Sequence, residues 1–374
     1  MSGFNPERLK EIRVIRKMTL EELATNLGVT KQAVSKYEHG QSMPSNDTMC
    51  KILKVFDIPK QYLNKDTISV VGSNSILFFR TASVTSKTDI EIADIESKWG
   101  YEVLIGIDSF EKITSMNIPL IDEDLSISEK AMYLRQFWNL GSGPIENMTT
   151  LLETNGIFIF VVNSTKLNTD AYSRIINDTP IIVLNSHKGT SVRWRFSLAH
   201  ELGHLVLHRN LSKKDFELRA KEIEDEASLF ASSFLMPPDS FGNSVIAPKL
   251  DFLEDLKKEW KVSIAAMIYH CRNLGILNNR QTIALQMQLS KKWGRKSEPY
   301  DEKLAFESPE YLLFKFQEYV LDRNSFEKFF NIVRLPIEDV EQLCSLEEGY
   351  FSAYDIITND EEASSMGYGQ MSLF

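Results

Sequence analysis

Apolar residues recur at helical intervals over most of this chain, and two short stretches break the rule. Leu198, Leu202, Leu205 and Val206 mark one face of a helix, and Ala227, Phe230, Ala231 and Phe234 mark a second that Pro237-Pro238 stops. Segments 89–99, 127–140, 262–275, 310–320, 325–333 and 337–343 carry the same period and predict further helices. The aromatic stripes of the last three read as core, or as a dimer or partner surface. Runs 157–162 and 181–184 are continuous and β-branched, bounded by Gly, Asn and Pro. They predict strands of a small sheet beside the first two helices. Ahead of these, the chain reads as five short helices at 6–17, 20–27, 31–38, 46–56 and 59–63. Thr19 with Glu22 forms a capping box, Gly28 ends the second helix and Thr30 starts the third. The expected fold class is α+β. An all-α five-helix head spans 1–65, a hinge-like linker 66–75 and a body of helices plus small sheet 76–245. A helical region at 246–357 and a flexible tail at 358–374 complete the chain.

The most informative chemistry sits in the first of those amphipathic helices. His200-Glu201-Leu202-Gly203-His204 is an HExxH pattern. On a helix it sets two imidazoles one turn apart on one face, so both can hold a single ion, with Glu201 beside the water that ion polarises. The competing reading is a buried helix with satisfied histidines. Gly203 leaves room for close backbone approach by a neighbour. Zinc needs a third protein ligand if a fourth position is to stay open to water. The second helix offers Glu224 on the side of Ala227, Ser228 and Ala231. Glu226 is its rival and Glu222 a weaker one, while an acidic run alone is ordinarily a solvated face. His208 extends the histidine series by another turn. Ligands spread over two turns span roughly 12 Å of rise, too far for one ion, so His208 is expected to pack or to support a ligand. Tyr172, read as lying in the loop between the strands, and Arg195 are weaker candidates for polarising a substrate carbonyl. His270 reads as packing.

The segments Arg195-Phe-Ser-Leu-Ala-His-Glu-Leu-Gly-His-Leu-Val-Leu-His208 and Glu224-Asp-Glu-Ala-Ser-Leu-Phe-Ala231, followed by Leu235-Met-Pro237, resemble the ImmA/IrrE metallopeptidases. Upstream, Leu134-Arg135, Trp138-Asn-Leu-Gly141, Gly156-Ile157 and Pro180-Ile-Ile-Val-Leu-Asn185 match as well, so the resemblance covers residues 75–300. It implies a zincin-like domain holding Zn2+ through His200, His204 and Glu224, with Glu201 as general base. One departure stands out: the family usually has Asn or Asp where this chain has Ser228, which reaches less far toward the first histidine.

The head carries a separate signal. A helix, a Gly-Val turn and a second short helix form the helix-turn-helix arrangement, whose second helix enters the DNA major groove. Thr19-Leu-Glu-Glu-Leu-Ala24 and Gly28-Val-Thr-Lys-Gln-Ala-Val-Ser-Lys-Tyr-Glu-His-Gly40 resemble the XRE/Cro-type repressor domain. Lys31, Gln32 and Lys36 are the base- or phosphate-reading candidates, with Ser35 next, while Ala33, Val34 and Tyr37 face the core. The alternative is a helical protein-binding module. Charge agrees with the division. Residues 1–65 hold eleven Lys/Arg against seven Asp/Glu, and the remainder thirty-one against forty-five. A basic head on an acidic body fits phosphate contact through the head alone.

Composition bounds the remainder. With 374 residues, 43% hydrophobic and 25% charged, the chain fits two or three domains. It has no apolar run of the ~18 residues that span a bilayer and no signal-peptide-like start. Cys50, Cys271 and Cys344 lack metal-ligand spacing and read as buried thiols in a reducing cytoplasm. The function expected is a DNA-binding zinc endopeptidase, a homodimer on a double-stranded operator, that cleaves a repressor or antitoxin or itself. Self-cleavage would fall in the linker near residues 64–75. The alternative is a non-proteolytic regulator or antitoxin whose metallopeptidase-like body senses or dimerises.

Overall fold

The computed structural model describes residues 3–68, 76–79, 86–164, 169–187, 189–294 and 297–352. The expected tail at 358–374, and most of the expected linker, lie outside the described residues.

The head consists of α1 (Pro6–Ile15), α2 (Leu20–Leu27), α3 (Lys31–Glu38) and α4 (Asn46–Phe56). Local chemistry sets these limits. The expected first helix, 6–17, stops two residues early because Lys17 takes a left-handed conformation and the Met18 N–H turns back to the Arg13 carbonyl. Thr19 and Glu22 cap α2 reciprocally, and Gly28 closes it at φ 69°. The expected fifth helix is a single 3-10 turn, Tyr62–Asn64. Tyr62 and Leu63 are fully buried there and close the small core around Leu9, Leu23, Val34 and Ile52.

The body centres on a four-stranded sheet in the order β1-β3-β4-β2, with β1 Phe78–Phe79, β2 Phe158–Val162, β3 Ala171–Ile176 and β4 Thr179–Asn185. β2 and β4 are parallel, while β3 runs antiparallel to both β1 and β4. Sequence reading found β2 and β4 but placed Tyr172 in a loop; it lies inside β3. β3 and β4 form a hairpin whose two-residue turn, Asn177-Asp178, has positive φ at both positions, the conformation Asn and Asp tolerate best. Every residue of β2 and β3 is buried, so both faces of the sheet are covered.

Alternation along the strands sends side chains to two separate cores. Phe158, Phe160, Tyr172, Ile181 and Val183 face α5 (Lys87–Asp108), the head and the C-terminal helices. Ile159, Ala171, Ile175, Ile182 and Leu184 face the opposite layer. That layer starts with α6 (Ile127–Phe137) and α7 (Met148–Thr154), followed by α8 (Ser191–Leu207), α9 (Lys213–Leu218), α10 (Ala220–Leu235) and α11 (Pro238–Ser244). It continues with α12 (Leu250–Trp260), α13 (Ile264–Asn273) and α14 (Asn279–Trp293). The remaining helices, α15 (Tyr311–Tyr319), α16 (Arg323–Val333) and α17 (Ile337–Leu343), return to the first face. The region expected as one helical unit at 246–357 is therefore split between the two sides of the sheet. Its aromatic stripe is core: Phe316, Phe326, Phe329 and Phe351 are buried against one another.

The expected hinge is tied down where it leaves the head. Arg8, fully buried, donates to Glu11, to Glu102 of α5 and to the Asp66 carbonyl. Lys65 Nζ reaches the second oxygen of Glu102 at 2.7 Å and the Val333 carbonyl at 2.7 Å. Arg16 grips Asp339 of α17 through both terminal guanidinium nitrogens. Cys271 and Cys344 are buried free thiols as expected, but Cys50 is exposed on α4, because it faces away from the small head core.

Glu153 of α7 supplies a pH test. It is buried, accepts backbone N–H groups from Glu310 and Tyr311, and burial pushes its carboxyl up to about 7. A raised carboxyl pKa means that the folded state binds the proton more tightly than the unfolded chain. Its contribution is therefore fully present below pH ~4.5 and fades as pH rises toward 7. Glu153→Gln should be more stable than the parent at pH 8 by on the order of 1–3 kcal/mol, and no more stable at pH 4.5. Denaturant unfolding at both pH values measures this; an equal difference at both would refute it.

Candidate metal centre and nucleic-acid interface

α8 and α10 cross at Gly203. A Cβ there would sit 3.2 Å from Ala227 Cα and 3.2 Å from its carbonyl oxygen, so even a methyl group would push the two backbones apart by a few tenths of an ångström. That crossing joins the three expected ligand residues. One nitrogen of His200, one of His204 and one oxygen of Glu224 lie within 4.8 Å of one another. The two Nε2 atoms are 3.1 Å apart, and the Glu224 oxygens lie 3.4 Å from His200 Nε2 and 3.7 Å from His204 Nε2. Among the described residues this is the one such group. The rivals point elsewhere: Glu226 pairs with His208 and Arg219, and Glu222 with Arg219 at the surface.

The outer nitrogens of both histidines are occupied. Ser228 Oγ lies 3.3 Å from His200 Nδ1, so this serine, shorter than Asn or Asp, still reaches the ring. His204 Nδ1 lies 3.1 Å from His208 Nδ1, and His208 Nε2 lies 2.9 Å from Glu226 Oε2. One proton arrangement satisfies that row. The Glu226 carboxylate accepts from His208 Nε2–H, and His208 Nδ1 accepts from His204 Nδ1–H. The lone pair of His204 Nε2 is then turned toward Glu224. Burial, then the neighbouring His200 and His208, holds the His204 imidazolium well below the usual histidine range. The ring is therefore neutral and able to ligate at pH 7.

This donor set fits a zinc ion. Both oxygens of Glu224 are buried and lack a hydrogen-bond donor among the described residues. An uncompensated buried carboxylate facing two imidazole lone pairs is costly unless a cation joins it. Glu201, between the histidines, is 3% exposed, and its Oε2 accepts from Ser173 Oγ of β3 at 2.6 Å. Phe78 of β1 stacks on the His204 ring with centroids 5.0 Å apart and planes 9° from parallel.

Two weaker candidates are structural. Tyr172 is fully buried and donates to Glu96 of α5 at 2.5 Å, on the sheet face away from the metal group. Arg195 ties α8 to Glu307 and to the carbonyls of Ile145 and Glu146. His270 accepts its expected packing role, with Nε2 on the Met236 carbonyl. His208 was expected to pack or to support a ligand and does the latter, but sequence reasoning missed its partner Glu226, as well as Ser173 and Phe78. The spacing of His200, His204 and His208 hinted at the row to Glu226. The Asn177-Asp178 turn could have revealed β3 and with it Ser173. Phe78 carried no signal.

In the head, α2 and α3 form the helix-turn-helix. Lys31, Gln32 and Lys36 are exposed along α3, and Ser35 is half-buried. Val34 is buried in the core, while Ala33 and Tyr37 are half-buried beside it. Thr30 caps the helix on the Ala33 N–H. Arg13 clamps Glu38 at its other end, fixing α3 on α1.

Two family models match the chain. A Helix-turn-helix model covers residues 9–63, and a peptidase M78 model described as IrrE N-terminal-like domain covers 153–272. The chain is 36% identical over 59 residues to the uncharacterized HTH-type transcriptional regulator YqaE of Bacillus subtilis, covering 16% of this chain and 51% of that protein. It is 31% identical over 71 residues to the SPbeta prophage-derived uncharacterized HTH-type transcriptional regulator YonR of the same organism. That match covers 19% of this chain and 66% of YonR. The chain thus spans about half of one relative and somewhat under two thirds of the other. No helix among the described residues is long and apolar enough to cross a membrane.

The crossing at Gly203 is testable. Gly203→Val should cost about 1–3 kcal/mol through forced separation of α8 and α10. Guanidinium unfolding without metal measures this directly; unchanged stability would show that the helices can part freely.

Proposed function

Starting from a chain that joins a repressor-type helix-turn-helix domain to an IrrE N-terminal-like domain, we infer that this protein is a DNA-binding zinc endopeptidase. The observation that carries the reading is the orphaned Glu224 carboxylate facing the Nε2 atoms of His200 and His204, with Glu201 alongside. His200, His204 and Glu224 would hold zinc, which when bound would supply Lewis acidity, lowering the pKa of water from 15.7 toward about 7. The rest is done by the chain. Glu201 takes the proton of the attacking water and delivers it to the departing amine. Ser173 holds one Glu201 oxygen, fixing the carboxylate for both transfers. Ser228 and the row His208–Glu226 hold the two imidazoles in the tautomer that ligates.

The head supplies location. A pair of chains would set two copies of α3 in successive major grooves, with Lys31, Gln32, Ser35 and Lys36 toward bases and phosphates. The polypeptide cut is then a regulatory protein acting at the same DNA, a repressor or an antitoxin. This substrate class follows from the resemblance to ImmA/IrrE chains and from the head carried in the same molecule.

Metal analysis of protein purified with zinc should find one equivalent per chain, lost in His204→Ala and kept in Glu201→Gln. Cleavage of a co-expressed operator-binding repressor should fall about 100-fold or more in Glu201→Gln with folding intact. Full activity in that variant would remove Glu201 as the base, and absence of zinc from the parent would remove the hydrolase reading. Lys36→Ala should weaken operator binding and lower its salt dependence by about one ion; an unchanged salt slope would take Lys36 off the DNA.

A further inference from the structure

β1 is only two residues long, yet it occupies the most consequential edge of the sheet. It pairs antiparallel with the outer edge of β3, Phe78 opposite Ser173 and Phe79 opposite Tyr172. Directly opposed residues of paired strands project to the same face. Ser173 projects toward α8, where its hydroxyl holds Glu201, and Phe78 projects with it. The Phe78 ring lies flat on His204, meets Phe216 of α9 edge-on with centroids 5.7 Å apart, and is 2% exposed. A segment more than 110 residues before α8 in sequence thus sets its backbone beside the strand that orients Glu201 and its side chain over a metal-group histidine.

Without β1, the outer edge of β3 would offer a row of unpaired N–H and C=O groups beside the site. Such an edge takes up an extended peptide as an added strand, main-chain bonds giving affinity and alternate side chains giving selectivity. We propose that β1 is a resident strand seated where an extended polypeptide substrate binds, with Phe78 filling the pocket over His204, so that the chain holds its own site closed until β1 is displaced. The proposal rests on the endopeptidase reading. It defines the substrate further: an extended segment, antiparallel to β3, carrying a bulky apolar residue in the place of Phe78.

The two-residue ladder offers few backbone bonds, so the buried ring provides most of the hold. This makes Phe78 the place to intervene. Phe78→Ser in the full-length protein should raise the affinity for a fluorescent peptide bearing the sequence of residues 76–79, Ile-Leu-Phe-Phe, between lysine caps. The expected gain is about tenfold or more, because closed molecules no longer compete with the peptide. Amide hydrogen exchange in residues 171–176 should accelerate in this variant and slow again when the peptide is added. Zinc extraction by a chelator should also be faster than from the parent. Phe78→Leu, which keeps apolar packing but not the flat aromatic face, should fall between parent and Phe78→Ser in all three measurements and guards against a folding defect. Unchanged peptide affinity and unchanged exchange in β3 would overturn the proposal. Peptide binding and exchange do not depend on hydrolysis. If both respond while neither protein cleaves, the resident strand stands and the endopeptidase reading falls.

Discussion

The functional part of this molecule depends on one contact, the meeting of two helix backbones at Gly203 and Ala227. Helices whose interface carries ordinary side chains pack with axes 8–10 Å apart. Here a glycine faces an alanine, with Phe230 filling the flank, and α10 comes close enough for Glu224 to face two imidazoles one turn apart on α8. Reach explains why Glu224 serves and its neighbours do not. Glu222 and Glu226 leave α10 at other angles and meet Arg219 and His208 instead. Burial of His204, followed by the neighbouring His200 and His208, keeps its imidazole neutral.

What could be read in the sequence divides by range. Helix limits in the head were legible because they are written locally, in Thr19 with Glu22, in Gly28 and in Thr30. His200, His204 and Glu201 were legible because one helix fixes their spacing. Glu224 was favoured over Glu226 and Glu222 by its side of the helix, but the rivals stayed open, since excluding them needs the crossing angle of two helices. Ser173 was hidden because β3 holds Arg174 among its apolar residues and lacks a continuous hydrophobic run, although the Asn177-Asp178 turn marked its end. Phe78 was hidden altogether. A two-residue strand has no period, and its partner lies nearly a hundred residues away.

Long-range ion pairs were illegible for the same reason, and they change the picture of the chain most. The head was read as a separate unit on a hinge. Its α1 is instead joined to α5 by Arg8 and Glu102, 94 residues apart, and to α17 by Arg16 and Asp339, 323 residues apart. Burying Arg8 is tolerable because its guanidinium meets two carboxylates and a carbonyl, and Lys65 shares the Glu102 charge. Removing one member of such a group strands a buried charge, at a cost of about 3–5 kcal/mol. Lys31, Gln32 and Lys36 on α3 remain exposed with the head attached in this way.

The sheet is the wall shared by both halves, and β3 is where they come closest. Two consecutive residues of that strand face opposite ways. Tyr172 donates to Glu96 on α5, the helix that carries the head, and Ser173 donates to Glu201 on α8. A strand cannot turn one of these side chains without turning the other, because its alternation is fixed by the backbone. The register that seats Phe78 over His204 is set by the same two residues, since they are its cross-strand partners and those of Phe79. The head-bearing helix, Glu201 and β1 therefore share a single geometric reference. A change of pairing along the β3 edge reaches the Glu201 carboxylate through one hydroxyl and the head-bearing helix through another.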